Sequence, residues 1–353
     1  MKVRLGDVCD KASSSIIQKS LEGHEGKYPI YGASGLIKYV DFYQREKPYI
    51  AVVKDGAGIG RVMKLPAYSS VIGTMQYIIP NEKVDINYLV YSMEYMNLAK
   101  YFSGATIPHI YFRDYQKEPL NLPEIKVQKK IGGILSNIEK LIAFRNQELS
   151  KFDQLVKSRF IESFGDPVSN DKFWNLAILQ DVTSKIGSGA TPKGGKSSYQ
   201  KEGIPFIRSM NVHDGVFLSK DLAYLSDKQA KQLENVIVKE NDVLLNITGA
   251  SVARSCIVPK TVIPARVNQH VSIIRCIPKY LNPEFLNKLF LHHRYKNLLL
   301  SLGEAGGATR QAITKSQLEK LQIILPPLTL QNEFADFVQQ VDKSKYGEIL
   351  NAL

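Results

Sequence analysis

Residues 50–61 read IAVVKDGAGIGR and residues 243–254 read VLLNITGASVAR, and this pair of stretches decides the fold because it shows that the chain repeats itself. At an offset of 193 positions, Gly56 matches Gly249, and each stretch closes on an arginine. Each begins with consecutive apolar residues and continues into a glycine, which indicates a buried strand followed by a tight turn. The sequence therefore predicts one structural unit that is present twice.

Further matches extend the repeat outward in the same order along the chain. They are LGDV at 5–8 with LQDV at 179–182, MQYII at 75–79 with NQHVS at 268–272, SGATIPHI at 103–110 with GGATRQAI at 306–313, and LNLPEIKVQKKI at 120–131 with IILPPLTLQNEF at 323–334. The MQYII match keeps the offset of 193 and so pairs Gln76 with Gln269, whereas the last two matches have an offset of 203. Insertions in surface loops produce such changes of offset.

A long helix is predicted between the two units, beginning just after Pro123 and running to about residue 164 without another proline. Its apolar residues recur mostly at steps of three and four and form one stripe: Ile131, Leu135, Ile138, Ile142, Leu149, Phe152, Val156 and Phe160. About 40 residues at 1.5 Å each give about 60 Å. This length exceeds that of an ordinary core helix and predicts an antiparallel coiled-coil partner.

The C-terminal stretch is the expected partner, because about 25 residues after Pro327 carry a second apolar stripe. We predict an α+β chain with a first globular domain at 1–123, a long helix at 124–165, a second globular domain at 166–325 and a second helix at 326–353. The alternative for the long helix is a helical hairpin packed on its own domain.

The composition favours a polyanionic partner. Lys and Arg number 46 against 34 Asp and Glu, which gives a net charge of +12, and both halves of the chain share the excess. Nucleic acid contacted by both units explains this better than a single basic tail would, although a merely basic protein is the alternative. No membrane-length apolar run or signal region is visible, and three scattered cysteines fit a reduced chain. We therefore expect a cytoplasmic protein with no membrane partner.

Catalytic and metal-binding motifs are mostly missing from the sequence. TPKGGKS at 191–197 ends like a phosphate-binding loop, but Ala190 stands where that loop needs a glycine. The glycines at 56–60 indicate a tight turn or a close backbone approach, because the repeat does not preserve them all. No histidine has metal-ligand spacing, and His292 and His293 are predicted to be solvated on a helix. A nuclease site made of scattered acidic residues and one lysine remains an alternative, because its sequence signature is too loose to test.

Polar and basic residues in predicted loops are the candidates for DNA contact, because Lys and Arg neutralise phosphates while Arg, Asn and Gln read base edges. In the first unit they are Tyr31, Ser34, Lys38, Lys54, Arg61, Gln76, His109 and Arg113. In the second unit they are Thr191, Lys193, Lys196, Tyr199, Arg208, Asn211, Arg254, Gln269, Arg310 and Gln311. Residues matched across the repeat are better explained as scaffold or phosphate contacts, so the unmatched loop at 191–208 is the preferred base-reading segment.

Several of these segments resemble one known family, the specificity (S) subunits of type I restriction-modification systems. The similar segments are YPIYGASGLIKYV at 28–40, KDGAGIGRV at 54–62, TIPHIYFRDY at 106–115, SFGDPVSNDKFW at 163–174, GATPKGGKSSYQKEGIPFIRSMNV at 189–212 and LPPLTLQNEF at 325–334. Together they cover nearly the whole chain. The second helix departs from the family pattern, because it is shorter than the first.

The resemblance implies two target-recognition domains separated by two long antiparallel coiled-coil helices. It also implies a non-catalytic subunit that reads a bipartite double-stranded DNA target, one half-site per domain, with the helices setting the gap. Such a subunit docks two modification (M) subunits, which methylate adenine N6, and restriction (R) subunits join them. S-adenosylmethionine, ATP and Mg are expected on those partners and no cofactor on this chain. The alternatives are a stand-alone nuclease or nucleotide hydrolase and a structural protein whose repeats bind only proteins.

Overall fold

The computed structural model describes residues 1–104, 108–304 and 311–351, with the side chains of Lys196 and of residues 346–351 left undescribed. The chain divides into two compact units, Met1–Gln147 (unit 1) and Glu148–Leu353 (unit 2). Within the described residues, no helix is both long enough and apolar enough to cross a membrane.

Unit 1 combines short strands with few helices. Its elements are β1 (Lys2–Arg4), β2 (Cys9–Ser13), β3 (Tyr28–Gly32), β4 (Gly35–Val40), β5 (Tyr49–Val53), β6 (Val62–Leu65), β7 (Ser70–Val71), β8 (Met75–Pro80), α1 (Ile86–Tyr95), α2 (Phe112–Tyr115), β9 (Pro119–Asn121) and the start of α3 (Ile125–Phe164). The strands form an antiparallel sheet of order β2-β8-β5-β6, a sheet of order β4-β3-β7 and the pair β1-β9.

The inner strand β5 explains the position of the core in unit 1. All its residues are buried, as its apolar sequence YIAVV predicts for a strand covered on both faces. One face packs against α1, where Ile50 meets Leu89 and Met93 in a single buried cluster. The other face contributes Tyr49 to a second cluster with Tyr77.

Unit 2 repeats this plan with additions. Its elements are the end of α3, β10 (Leu176–Ile178), β11 (Thr183–Ser188), β12 (Ile204–Ile207), β13 (Val212–His213), β14 (Val216–Phe217), β15 (Ala223–Leu225), α4 (Asp227–Lys231), β16 (Ile237–Val238), β17 (Val243–Asn246), β18 (Ser255–Ile257), β19 (Ala265–Val267), β20 (Val271–Cys276), α5 (Pro283–Leu291), α6 (His293–Glu304), α7 (Lys315–Glu319), β21 (Gln322–Ile324) and α8 (Leu328–Asn351). The sheets β11-β20-β17-β18 and β15-β12-β19-β16 and the pair β10-β21 correspond to the three sheets of unit 1, with β16 and the antiparallel pair β13-β14 added.

The duplication extends to single hydrogen bonds. After β5, the amide of Gly60 donates to the carbonyl of Val53 at 2.8 Å, and after β17 the amide of Ala253 donates to the carbonyl of Asn246 at 2.9 Å. The loop that returns past this turn is matched as well, because Gly56 N bonds to Pro108 O at 3.0 Å. In unit 2 the corresponding bond joins Gly249 N and Gln311 O at 2.9 Å. The predicted repeat is therefore confirmed at the level of backbone geometry.

One predicted pairing of the repeat is wrong. Gln76 lies in β8 opposite Val52, and the residue in the same place of unit 2 is Ser272, which lies in β20 opposite Leu245. Gln269 precedes β20 by two residues and is exposed. The connection that leads into β20 is three residues longer than its counterpart in unit 1, so the offset at this strand is 196 and not 193.

Helices α3 and α8 confirm the predicted antiparallel pair within unit 2. Phe160 and Phe164 of α3 pack on Phe334 of α8, with ring centroids 5.6 Å and 5.3 Å apart. Further along, Lys345 Nζ lies 2.5 Å from Asp153 Oδ1, so the helices run in opposite directions. The predicted apolar stripe of α3 behaves differently at its two ends. Val156 and Phe160 are buried, whereas the stripe in unit 1 is largely exposed: Ile131, Ile138 and Ile142.

The helical segment that follows β20 is broken into two helices. Helix α5 ends at Leu291, because His292 adopts an extended backbone with ψ 130°, and α6 begins at the next residue. The prediction that both histidines are solvated is wrong for His292, whose ring stacks on Phe160 with centroids 5.8 Å apart. Burial lowers the pKa of His292, and the positive field of its neighbour His293, when charged, acts in the same direction.

Candidate nucleic-acid interface

The repeated turn at 54–61 and 247–254, here called the glycine turn, is the frame of the candidate interface in each unit. Gly56 and Gly60 have φ angles of 88° and 79°, and a Cβ on Gly60 would lie 2.4 Å from the backbone nitrogen of Ala99. The expectation of a tight turn with a close backbone approach is therefore confirmed. In unit 2, Ala253 adopts a φ of 65° at the position of Gly60, so the turn keeps its shape without a glycine there.

In unit 1 the glycine turn is attached to the β3-β4 hairpin. Arg61 is exposed, and its guanidinium donates to the carbonyl of Ala33 at 2.6 Å. Ser34, the next residue of the hairpin, is also exposed. Lys54 is half-buried with its ammonium 3.8 Å from the carboxylate of Asp55. The structure thus brings together three of the candidates predicted from sequence.

The returning segment of unit 1 adds three side chains to this surface. The Nδ1 atom of His109 contacts the carboxylate of Asp55, and its ring lies 4.2 Å from the ring of Tyr111. The guanidinium of Arg113 lies over the Tyr111 ring, 4.5 Å from the ring centroid. Arg113 is mostly exposed. His109 and Arg113 were predicted from the sequence, whereas Tyr111 and Asp55 were missed. The segment TIPHIYFRDY contained a signal for Tyr111, because His109, Tyr111 and Arg113 stand at alternate positions in it.

The remaining candidates of unit 1 lie away from this surface or inside the fold. Gln76 is buried, and its amide nitrogen lies 3.3 Å from the carbonyl of Ala12, which favours the scaffold role. The ammonium of Lys38 donates to the carbonyl of Leu21 at 3.2 Å. Tyr31 is half-buried in β3, and burial followed by the nearby Tyr39 raises the pKa of its hydroxyl. A DNA contact by Gln76 would require it to leave the core.

In unit 2 a chain of polar side chains crosses from the glycine turn to the loop at 191–208. Thr248 Oγ1 lies 2.5 Å from His270 Nδ1, and His270 Nε2 lies 3.2 Å from the side-chain amide of Gln269. Gln269 in turn contacts the hydroxyl of Thr191. Thr191 and Gln269 are both exposed. Of these, Thr248 and His270 were missed from the sequence, because only the folded chain brings them together.

Arg208 and Tyr199 form a second group in unit 2. The Arg208 guanidinium lies 5.6 Å from the Tyr199 ring centroid and also donates to the carbonyl of Asp221. Its Nε atom is buried and has no hydrogen-bond partner among the described residues. Asn211 is fully buried, and its amide donates to the carbonyl of Leu218 at 2.9 Å. Asn211 therefore holds the loop, whereas Arg208 presents part of its guanidinium outward.

The basic loop and the far end of the surface are described only in part. Lys193 is exposed, and Lys196 lies in the short helical turn Gly195–Ser198, with its side chain outside the described residues. Arg310 also lies outside the described residues. Arg254 is half-buried at the end of the second glycine turn. Gln311 donates to the carboxylate of Glu304 at 2.8 Å.

Two buried glutamines were missed as key residues. Gln128 of α3 accepts from the amide of Asp85 at 2.9 Å and donates to the carbonyls of Lys83 and Pro123. In unit 2, Gln331 of α8 accepts from the amide of Asn282 at 2.9 Å and donates to the carbonyls of Tyr280 and Pro326. Both glutamines stand at matching places in the quoted repeat, so the alignment contained the signal. Each fixes the start of a long helix against the capped start of α1 or α5.

Nucleophilic cysteine chemistry has no support in this chain. Cys9, Cys256 and Cys276 are all buried, and burial raises the pKa of each thiol to about 12. Among the described residues, no group of three or more His, Cys, Asp or Glu side chains is placed to hold a metal ion.

Comparisons with known proteins agree with this geometry. A family model described as the type I restriction modification DNA specificity domain matches residues 1–152 and again 172–353. The type I restriction enzyme MjaVIII specificity subunit of Methanocaldococcus jannaschii is 23% identical, over 96% of this chain and 85% of its own length. A putative type I specificity subunit of Mycoplasma pneumoniae is 24% identical, over 94% and 86%.

Solved structures show the same fold. The crystal structure of a type I restriction-modification S subunit from M. genitalium superimposes with a TM-score of 0.69 at 14% identity, over 100% of this chain and 92% of that one. A chain from a structure that addresses complex assembly and conformational transition of the type I system gives a TM-score of 0.53 at 17% identity, over 98% and 91%.

Proposed function

The chain belongs to the type I restriction-modification DNA specificity family and carries two copies of its DNA specificity domain, and from this premise we propose that it reads a bipartite DNA target. Each unit binds one half-site, and the bases between the half-sites are not read. The observation that carries the proposal is the pair of glycine turns, which share backbone hydrogen bonds but carry different side chains at their start, Lys54 and Asp55 in unit 1 against Ile247 and Thr248 in unit 2. One frame with two sets of side chains suits two different half-sites.

We propose further that this subunit supplies sequence recognition to enzymes that it docks. Two modification subunits methylate adenine N6 with S-adenosylmethionine, and restriction subunits use ATP and Mg to cleave unmodified DNA. Recognition without catalysis fits the buried, protonated cysteines of this chain. DNA is the substrate of the complex, so we place the protein in the cytoplasm.

Within each unit, phosphate contacts and base contacts are expected to divide between different residues. Arg61 and Arg254 occupy the same place in both glycine turns, so we assign them to phosphate, which every half-site offers. The loop before β12, with exposed Thr191 and Lys193, differs in sequence from residues 14–27, which join β2 to β3 at the same place of unit 1. We assign this loop, together with half-buried Arg208 after β12, to base reading and orientation in unit 2.

A binding experiment with the full chain and its modification subunit tests the proposal. Duplexes selected from a random library should converge on two short fixed blocks with a constant gap. The logarithm of the binding constant should fall linearly with the logarithm of salt concentration, because phosphate contacts release counterions. Changing both Lys193 and Lys196 to alanine should reduce the steepness of this line by about two charges.

The control for that variant is the change of exposed Lys343 in α8 to alanine, which should leave the salt dependence unaltered. A selection that yields no fixed blocks, or binding that ignores salt, contradicts the proposal and favours a structural protein. Metal-dependent cleavage or ATP turnover by the purified chain alone would favour a stand-alone enzyme.

A further inference from the structure

Two half-sites of different sequence require different side chains at equivalent positions of the two units. This reasoning rests on the proposed function and extends it to a single base contact. The segment that returns past the glycine turn bonds to it in the same way in both units. In unit 1 the amide of Ile110 donates to the carbonyl of Lys54 at 2.9 Å, and in unit 2 the amide of Ile313 donates to the carbonyl of Ile247 at 2.8 Å. These bonds place Arg113 of α2 and Ser316 of α7 at the same point of the two frames.

The side chains at this point differ in size and charge between the two units. In unit 1, Tyr111 and Arg113 present an aromatic ring and a guanidinium, and the Arg113 side chain is 73% exposed. In unit 2, the matching Thr314 caps α7 through Gln317, and Ser316 is a small exposed hydroxyl. A phosphate contact needed by both half-sites would be kept in both units, whereas a base contact would differ.

Arg113 is oriented before any DNA binds. Its guanidinium lies 4.5 Å from the centre of the Tyr111 ring, and the ring of His109 lies 4.2 Å from the same ring centre. His109 is held in turn by the carboxylate of Asp55 in the glycine turn. The backbone beneath Arg113 is fixed as well, because Phe112 and Tyr115 of α2 are buried. Stacking on an aromatic face restricts the guanidinium, so little conformational entropy is lost when it makes two hydrogen bonds.

The charges around Arg113 favour a base over a phosphate. Asp114 Oδ1 lies 3.8 Å from Arg113 Nε, and this exposed carboxylate weakens the local attraction for a phosphate. The planar fork of N–H groups beyond Nε matches the O6 and N7 acceptors of guanine, the most common specific contact of arginine in the major groove.

We propose that Arg113, positioned by Tyr111, reads a guanine edge in the half-site of unit 1. Unit 2 has no such reader at the matching position, so its half-site has no corresponding guanine requirement there. Tyr111 acts as a positioning residue and Arg113 as the residue that contacts the base.

The test is selection from a random duplex library by the full chain with its modification subunit, comparing the wild type with Arg113→Lys. This substitution keeps the charge but removes the paired N–H donors. The wild type should enrich a bipartite target, and Arg113→Lys should lose about 10-fold or more of its preference for one G·C pair in one half only. The salt dependence should stay the same, because the number of positive charges is unchanged.

Two further variants separate positioning from contact. Tyr111→Phe retains the ring and should leave the selected sequence unchanged, whereas Tyr111→Ala should weaken the preference at the same base pair. The matched control Ser316→Ala in unit 2 should not alter the half-site of unit 1. If Arg113→Lys selects the wild-type target with undiminished preference at every position, the assignment of Arg113 is overturned and the bipartite function stands. If the wild type itself selects no bipartite target, both are overturned.

Discussion

Tyr49 in unit 1 and Asp242 in unit 2 occupy one position of the repeated fold, at the start of the inner strand, and they stabilise it by different physics. Tyr49 is buried against Tyr77, with ring centroids 4.9 Å apart, and bonds to the hydroxyl of Ser69. Asp242 is fully buried and accepts two hydrogen bonds from Arg275 at 2.7 Å and 2.8 Å. The comparison teaches that the two units share a backbone frame but stabilise it with different buried side chains.

The largest expected effect concerns what the units share. Changing Gln331 to leucine leaves two carbonyls and one amide of the backbone without their buried partner, at about 1–3 kcal/mol each. We expect a loss of about 4 kcal/mol in the stability of unit 2, and the same loss in unit 1 for Gln128→Leu. Hydrogen exchange of peptides from α5 and α1 should speed up only in the altered unit.

The exposed Gln339 of α8 offers a control, because Gln339→Leu removes the same side chain without orphaning a buried group. Unequal losses from the two buried glutamines would show that the helix starts are not equivalent.

The next effect concerns what the units do not share. Asp242→Asn leaves the Arg275 guanidinium, which is three-quarters buried, without its negative partner. Breaking a buried pair from one side costs about 3 kcal/mol, so unit 2 should unfold at lower denaturant concentration. Exposed Asp336 supplies the control, since Asp336→Asn should change little. Denaturation monitored by Trp174, in unit 2, checks the result, and an unchanged midpoint would show that the pair contributes nothing.

The glycine turn gives a smaller, asymmetric effect. Gly60→Ala would place a Cβ 2.4 Å from the backbone of Ala99, and we expect a loss of about 2 kcal/mol from the clash and the positive φ. The reverse change Ala253→Gly relieves the positive φ but frees the unfolded chain, so stability should change by less than about 1 kcal/mol. Calorimetry of both variants measures the asymmetry. Equal losses would mean that the two turns are not packed differently.

The smallest effect is the pH dependence that His292 gives to the stability of unit 2. Burial lowers the folded-state pKa of His292 below its unfolded value of about 6.5, so the unfolded chain binds more protons as the pH falls. The stability of unit 2 should therefore decrease below about pH 6.5, with Asp166 opposing and Arg294 assisting the trend. His292→Phe, which keeps the contact with Phe160, should flatten the profile, and His293→Phe should flatten it less, because it removes only the weaker cause of the pKa shift. Tyr95, the matching residue of unit 1, is exposed and is not a histidine.

Much of the architecture followed from local patterns. The glycine turns, the short strands around them and the long helix were predicted because each leaves a signature in consecutive residues. Gln76 and Gln269 show where this reasoning failed, since a three-residue difference in a connection is invisible until strand pairing fixes the register. The candidate site divides similarly. Arg61 and Ser34 were predicted and lie together, whereas Asp55 and His270 needed the folded chain to find their partners.

By itself, the sequence determined that one unit occurs twice and that a helix of about 60 Å follows the first copy, because repeats and periodicity are properties of neighbouring residues. It also determined the basic character of both copies. Only the tertiary structure decided that His109 contacts Asp55, that Tyr111 lies between His109 and Arg113 in a chain of contacts, and that Gln76 is buried. Contacts between distant segments depend on register and packing, which no local pattern encodes.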